Sequence, residues 1–221
     1  MFVGHFAVGL AAKPIAPRVS LAILILSAVL ADALWIAFFT AGLERVVIEP
    51  GIMATNSLNL VSVPFSHGLV MDVVWAVVLG GIYFGARRDS RGAWMIVAVV
   101  LSHWILDVVS HRPDMPLAPG IDLRFGLGLY NSRMATFLVE GTLWFTALVV
   151  YVRATRPRGR SGVYGFWLTI AILTALWLVS LRGDPPPSLF VLAVFNVILV
   201  VVILAWSAWM DRARTLKSTA P

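Results

Sequence analysis

The chain contains no cysteine. Disulfides and thiolate metal sites are therefore excluded, and the redox compartment is left unmarked. Charge is also scarce: only 13% of the 221 residues are Asp, Glu, Lys or Arg, against about a quarter in an ordinary soluble domain. So few charges cannot cover a water-facing surface, whereas a lipid-facing one needs none. There is no internal repeat, and no low-complexity tail beyond a short polar C-terminus. The opening MFVGHFAVGLAAKP lacks the order of a cleaved signal peptide, because its positive charge follows the apolar run; it is expected to be retained.

What the chain has instead is apolar length. Hydrophobic residues make up 60% of it. Six runs, near 18–40, 63–86, 93–110, 133–153, 163–181 and 188–210, are long enough to cross about 30 Å of hydrocarbon. With the N-terminus in the cytoplasm, twelve of the seventeen Lys and Arg residues fall on the inner side, as the positive-inside rule requires. The net charge of +6 therefore sets topology and does not point to nucleic acid. The sequence predicts an all-α integral membrane protein with a single polytopic domain over 1–221. It has about six transmembrane helices plus a short N-terminal re-entrant or interfacial helix, N-in and C-in. The half that carries the candidate metal site is about 1–145, and additional helices follow at about 160–210.

Ionisable side chains in hydrocarbon cost several kcal/mol unless paired or hydrated. LSHWILDVVSHRPD at 101–114 carries three, His103, Asp107 and His111, within about 80° of one helical face. Depth follows from a rise of about 1.5 Å per residue above the nearest cytoplasmic charge. It comes to about 21 Å for Asp32, 18 Å for His103, 24 Å for Asp107, 20 Å for Glu140 and 22 Å for Asp72. His67 and His111 come out at about 30 Å, the outer boundary. Residues of four helices thus share a slab in the outer half of the membrane, a level that scattered packing residues have no reason to share. His67 and Asp72 stand about 140° apart if both are helical, and His67 is the favoured partner of the slab. His5 joins it if residues 2–12 form a half-helix entering from the cytoplasmic side, with Pro14 and Pro17 making the turn.

Histidine and carboxylate without cysteine suit Zn²⁺, and also Mn²⁺ or Fe²⁺. A carboxylate free of metal, Glu140 or Asp32, could serve as general base. Arg112, Asn131 and Arg133 could orient a phosphate or ester oxyanion. A site near the outer leaflet suits a lipid-like substrate, with 111–132 as a lid or wall. Each residue also has a structural reading. His103, Asp107 and His111 could be polar glue between helices, Glu140 could pair with Arg133, and Asp72 could be purely structural.

The residues MFVGHFAVGLAAK, the Asp of LADALW, FSHGL and SHWILDVVSHRPDMPL resemble a bacterial inner-membrane family of membrane-bound metal-dependent hydrolases, which includes a LexA-regulated hydrolase. The resemblance covers the first half of the chain. It implies metal ligation by His5, Asp32, His67, His103 and Asp107, with His111 next. More remotely, the set is similar to zinc-dependent phospholipase C, although Met1 and Phe2 stand where that enzyme has a ligating Trp. Two other functions use the same groups: a proton- or metal-coupled transporter or channel, and a haem protein with paired axial histidines. A transporter needs polar residues leading from the slab to the cytoplasm, and the inner halves of the third and fourth apolar runs are almost purely apolar.

Overall fold

The computed structural model describes residues 1–217; the last residues of the polar C-terminus lie outside them. The short helix α1 (Val3–Ala12) comes first, then α2 (Leu21–Ala28) and α3 (Leu30–Thr40). A hairpin of β1 (Arg45–Ile48) and β2 (Leu58–Ser62) leads to the helical pair α4 (Leu69–Arg87) and α5 (Ser90–Ser110). A second hairpin, β3 (Met115–Ala118) and β4 (Ile121–Phe125), precedes α6 (Arg133–Ala154). Strand β5 (Thr155–Pro157), helices α7 (Arg160–Ser180) and α8 (Leu189–Ala213), and strand β6 (Arg214–Leu216) complete the order.

Among the described residues, α4, α5, α6, α7 and α8 are each long and apolar enough to cross a membrane. The sixth crossing is broken, with α2 and α3 meeting at 56°. The fold is therefore the expected all-α membrane type, and the six apolar runs match it closely. Helices suit these runs because lipid offers no partner for a free backbone group. Their ends are marked by local caps: Ser20, Asp89, Ser132 and Ser188 each accept a backbone N–H at the start of α2, α5, α6 and α8. Large apolar side chains such as Ile82 (65% exposed) and Leu168 (63%) face outwards, a surface that lipid tolerates and water does not.

The basic segments collect at one end. Lys13, after α1, lies 2.8 Å from Asp211 near the end of α8, and Asp211 also accepts the Leu21 N–H at the start of α2. The α6–α7 linker is not loose: β5 pairs antiparallel with β6, and the Arg214 guanidinium covers the Phe166 ring at 4.7 Å. At the opposite end stand the two hairpins, the second of them within 111–132, the segment read from the sequence as a lid or wall. Val46, Val47 and Ile48 in one and the Pro119-Gly120 turn in the other favour paired strands over loop. They close over a small core of Trp35, Val46, Leu60, Val63 and Met115. The main core packs α1 and α2 against α6, α7 and α8 around Trp144, Tyr151, Phe166 and Trp177.

Candidate metal centre

On α5, His103 and Asp107 lie one turn apart, 1% and 3% exposed, with His103 Nε2 3.1 Å from Asp107 Oδ2. The other ring nitrogen of His103, Nδ1, lies 2.8 Å from the carbonyl oxygen of Ala28. That carbonyl stands at the α2–α3 break, the local disruption at which kinks form. The break also turns the first residues of α3 towards α5. Asp32, on the first turn of α3, comes within 3.9 Å of His103 Nε2 and 3.6 Å of His67 Nε2.

His67 does not belong to a helix. It lies in the turn Pro64–Gly68 before α4, with its N–H bonded to the Val63 carbonyl at 3.1 Å. A Cβ at Gly68 would collide with the Pro64 carbonyl oxygen, so the tightness of this turn requires glycine. The turn carries His67 inwards, where Nε2 is 3.7 Å from Asp107 Oδ2. This corrects the depth of about 30 Å, which assumed a continuous helical rise. It also removes the 140° argument against Asp72, which is buried at 1% with one carboxylate oxygen unpartnered.

Helix α1 delivers His5, as the half-helix reading expects. Its Nε2 is 3.1 Å from Asp107 Oδ1, and its ring stacks on that of His103 at 3.8 Å with 6° between planes. Two rings in face contact cannot sandwich a macrocycle, so this pair does not suit axial ligation of haem. The amino group of Met1 contacts the same carboxylate, 2.5 Å from Asp107 Oδ1 and 2.9 Å from His5 Nε2. No side chain within α1 caps its start. Glu140 of α6 does so from outside, accepting the Gly4 N–H at 3.1 Å with one oxygen and the Trp177 indole N–H at 2.9 Å with the other.

A divalent cation fits these groups. A carbonyl only accepts, so His103 Nδ1 carries a proton, and in the neutral ring Nε2 presents a lone pair. That lone pair is buried without a hydrogen-bond partner and faces the carboxylates of Asp107 and Asp32. Acceptors pointed at one another in a low-dielectric interior repel unless a cation lies between them. The sets His5–His103–Asp107, all buried, and Asp32–His67–His103, in which Asp32 is half-buried, each bring their ligand atoms within 4.8 Å of one another. Tetrahedral ligands at 2.0–2.1 Å from an ion stand about 3.4 Å apart, close to the separations found here.

The remaining expected residues stand outside the two ligand sets. His111 caps the C-terminus of α5, its N–H still bonded to the Asp107 carbonyl, and its ring lies 3.5 Å from Asp114, edge-on to Tyr130, outside the two candidate ligand sets but on the same cavity. Arg112 bonds to Asn59 and Asp114. Arg133 bonds to the carbonyls of Ala54 and Arg182, so it does not pair with Glu140. Neither arginine, nor Asn131, lines the cavity above the cluster.

That cavity has a volume of about 640 Å³. His5, Asp32, His67, Asp107 and His111 reach its polar end, while Trp35, Leu176, Val191, Leu192 and Phe195 form an apolar wall from α3, α7 and α8. Tyr130 also lines it. Burial pushes the Tyr130 phenol well above its usual pKa, and the carboxylates of Glu140, Asp107 and Asp32 act in the same direction. It stays a neutral hydroxyl at physiological pH.

The family described as YdjM inner membrane protein matches residues 1–184, which include every residue of this cluster and all but the last helix. The chain belongs to the YdjM inner membrane protein family. Membership and the apolar helices together make it an inner-membrane protein. No curated protein and no solved structure matches it. Within this YdjM-family chain, three groups that sequence reasoning passed over support the cluster: the Ala28 carbonyl, Trp177 and Glu44. A backbone carbonyl and an indole N–H leave no pattern in a sequence. Glu44 stands 23 residues before His67 with no spacing to connect them.

Proposed function

We infer that this protein is a membrane-embedded metal-dependent hydrolase of the bacterial inner membrane. Its substrate is a lipid-like ester or phosphoester whose scissile bond lies near the outer leaflet. The observation that carries this reading is the convergence of His5, Asp32, His67, His103 and Asp107 at one end of a cavity with an apolar wall. Zn²⁺ best suits the donor set, with Mn²⁺ or Fe²⁺ as alternatives. A bound divalent ion supplies an activated water at neutral pH and polarises the scissile group.

The protein's own groups divide the remaining work. His67, His103 and Asp107 hold the ion, with His5 beside them. Asp32 has a side chain 40% exposed and lines the cavity, which suits it to accept a proton from the attacking water. Glu140, with both oxygens engaged, serves the reading better as the anchor of α1 than as a second base. No Lys or Arg lines the cavity among the described residues. Negative charge on the substrate is therefore met by the ion and by the neutral Tyr130 hydroxyl, and Arg112 and Arg133 instead brace the loops of the cavity end. The apolar wall takes the chain of an amphipathic substrate, and the basic end of the molecule faces the cytoplasm.

The transporter reading requires a polar path to the cytoplasmic end. Beneath the cluster stand Leu24, Ile25, Ile96, Val99 and Val100, all buried at 2% or less, and this favours hydrolysis. The test is to purify the protein, determine its metal by elemental analysis, and screen phospholipids and polyprenyl phosphates for hydrolysis with the metal-loaded and chelator-stripped protein. Metal-dependent product release from one class supports the reading; well-folded protein that binds no divalent metal overturns it.

A further inference from the structure

Behind His67, away from the ligand cluster, lies a buried polar chain. Ser66 Oγ is 2.7 Å from His67 Nδ1 and donates to Glu44 Oε2 at 2.6 Å. The other oxygen of Glu44 accepts the backbone N–H groups of Phe65 and Ser66, both at 2.8 Å. Glu44 is 4% exposed and Ser66 fully buried, so neither can meet a substrate. Glu44 comes from the segment between α3 and β1, far from the turn it holds.

With Glu44 ionised and the His67 ring neutral, the proton inventory of this chain has one solution. A serine hydroxyl carries a single proton, and here it is committed to Glu44. The Ser66 oxygen can then only accept from His67, so the imidazole proton sits on Nδ1. Nε2 is left with its lone pair aimed at Asp32 and Asp107, 3.6 and 3.7 Å away. We propose that Glu44 and Ser66 are positioning residues that lock His67 in the Nδ1–H tautomer and aim its Nε2 as a metal ligand. The three donors received by Glu44 fix the orientation of the pair. The hydroxyl passes that orientation to the ring, as outer carboxylates do for metal-binding histidines. His103 reaches the same tautomer by a different route, through the Ala28 carbonyl. The inference rests on the metal reading for its purpose, but its structural content is independent of it.

The experiment uses full-length protein in detergent with ¹⁵N-labelled histidine. Long-range ¹H–¹⁵N correlation on chelator-stripped protein reads the tautomer of each ring, and His67→Gln assigns the His67 signals among the four histidines. Wild type shows His67 protonated at Nδ1. In Ser66→Ala, which keeps the backbone bonds to Glu44, the Nε2–H form appears, and Zn²⁺ affinity measured by chelator competition falls by about 10–100-fold. Glu44→Gln repeats the tautomer change with a nearly isosteric side chain. An Nε2–H ring in the wild type overturns the proposal, as does a tautomer unchanged in both variants. If wild type binds no Zn²⁺, the metal reading fails while the tautomer comparison still decides the role of Glu44 and Ser66.

Discussion

The imidazole of His103 is held by the carbonyl oxygen of Ala28, 2.8 Å from Nδ1, at the point where α2 gives way to α3. A break in a membrane helix thus orients His103 of one helix and positions Asp32 on the next turn. His103→Ala and Asp107→Ala are expected to retain less than about a tenth of the metal that wild type carries at close to one ion per chain. Asp107→Asn separates charge from shape, and loses affinity while keeping the fold. Elemental analysis of purified protein, alongside thermal unfolding, checks both; wild-type levels of metal in His103→Ala would remove that histidine from the site.

Glu140 holds the start of α1 through Gly4 and is itself held by Trp177. Glu140→Gln can satisfy the Gly4 N–H with its carbonyl, but then turns an amide donor towards the indole N–H. A buried mismatch of this kind costs about 1–3 kcal/mol. The expected result is a lower unfolding midpoint, with Trp177→Phe recovering part of the loss in a double-mutant cycle. Independent effects of the two substitutions would contradict the contact.

Helix α1 reaches the cluster because it packs closely on α2. A Cβ at Gly9 would lie 2.8 Å from Ile25 Cδ1 and 3.2 Å from the Leu24 carbonyl oxygen. Gly9→Val adds bulk against backbone, and overpacking of this sort costs about 1–3 kcal/mol. We expect α1 to shift and carry His5 away from Asp107, so that zinc affinity falls together with stability. Full affinity in a stable Gly9→Val protein would show that His5 is dispensable to the site.

In the proposed hydrolase, the apolar wall of the cavity receives the hydrocarbon chain of the substrate. Val191→Trp or Leu176→Trp fills space where a hydrocarbon chain would lie, without touching the histidines or carboxylates. Hydrolysis of long-chain substrates is expected to drop by more than about tenfold, with a short-chain ester much less affected and metal content unchanged. Equal losses on both substrates would place the chain elsewhere.

Much of this protein follows from composition and depth alone. Six apolar runs in a charge-poor chain leave few folds other than a helical membrane bundle, because a backbone in lipid must satisfy its own hydrogen bonds. The same scarcity made Asp32, His103 and Asp107 conspicuous, since each buried charge in hydrocarbon needs a partner. Their shared level could be counted because a helix rises at a constant rate.

That rule stops where the helix stops. His67 enters on a tight turn before α4, so a helical count does not give its depth, His111 caps the end of α5 outside the two ligand sets, and two outer segments pair as hairpins. The roles of Glu140 and Arg133 diverge for a related reason: a carboxylate is claimed by whichever donors the packing brings nearest, here a backbone amide and an indole from other helices. Glu44 is the extreme case. Nothing in its local sequence marks it, and its link to His67 exists only because the chain between them folds back on itself. Periodicity reports what one helix does; contacts between distant segments depend on how the helices break, turn and pack.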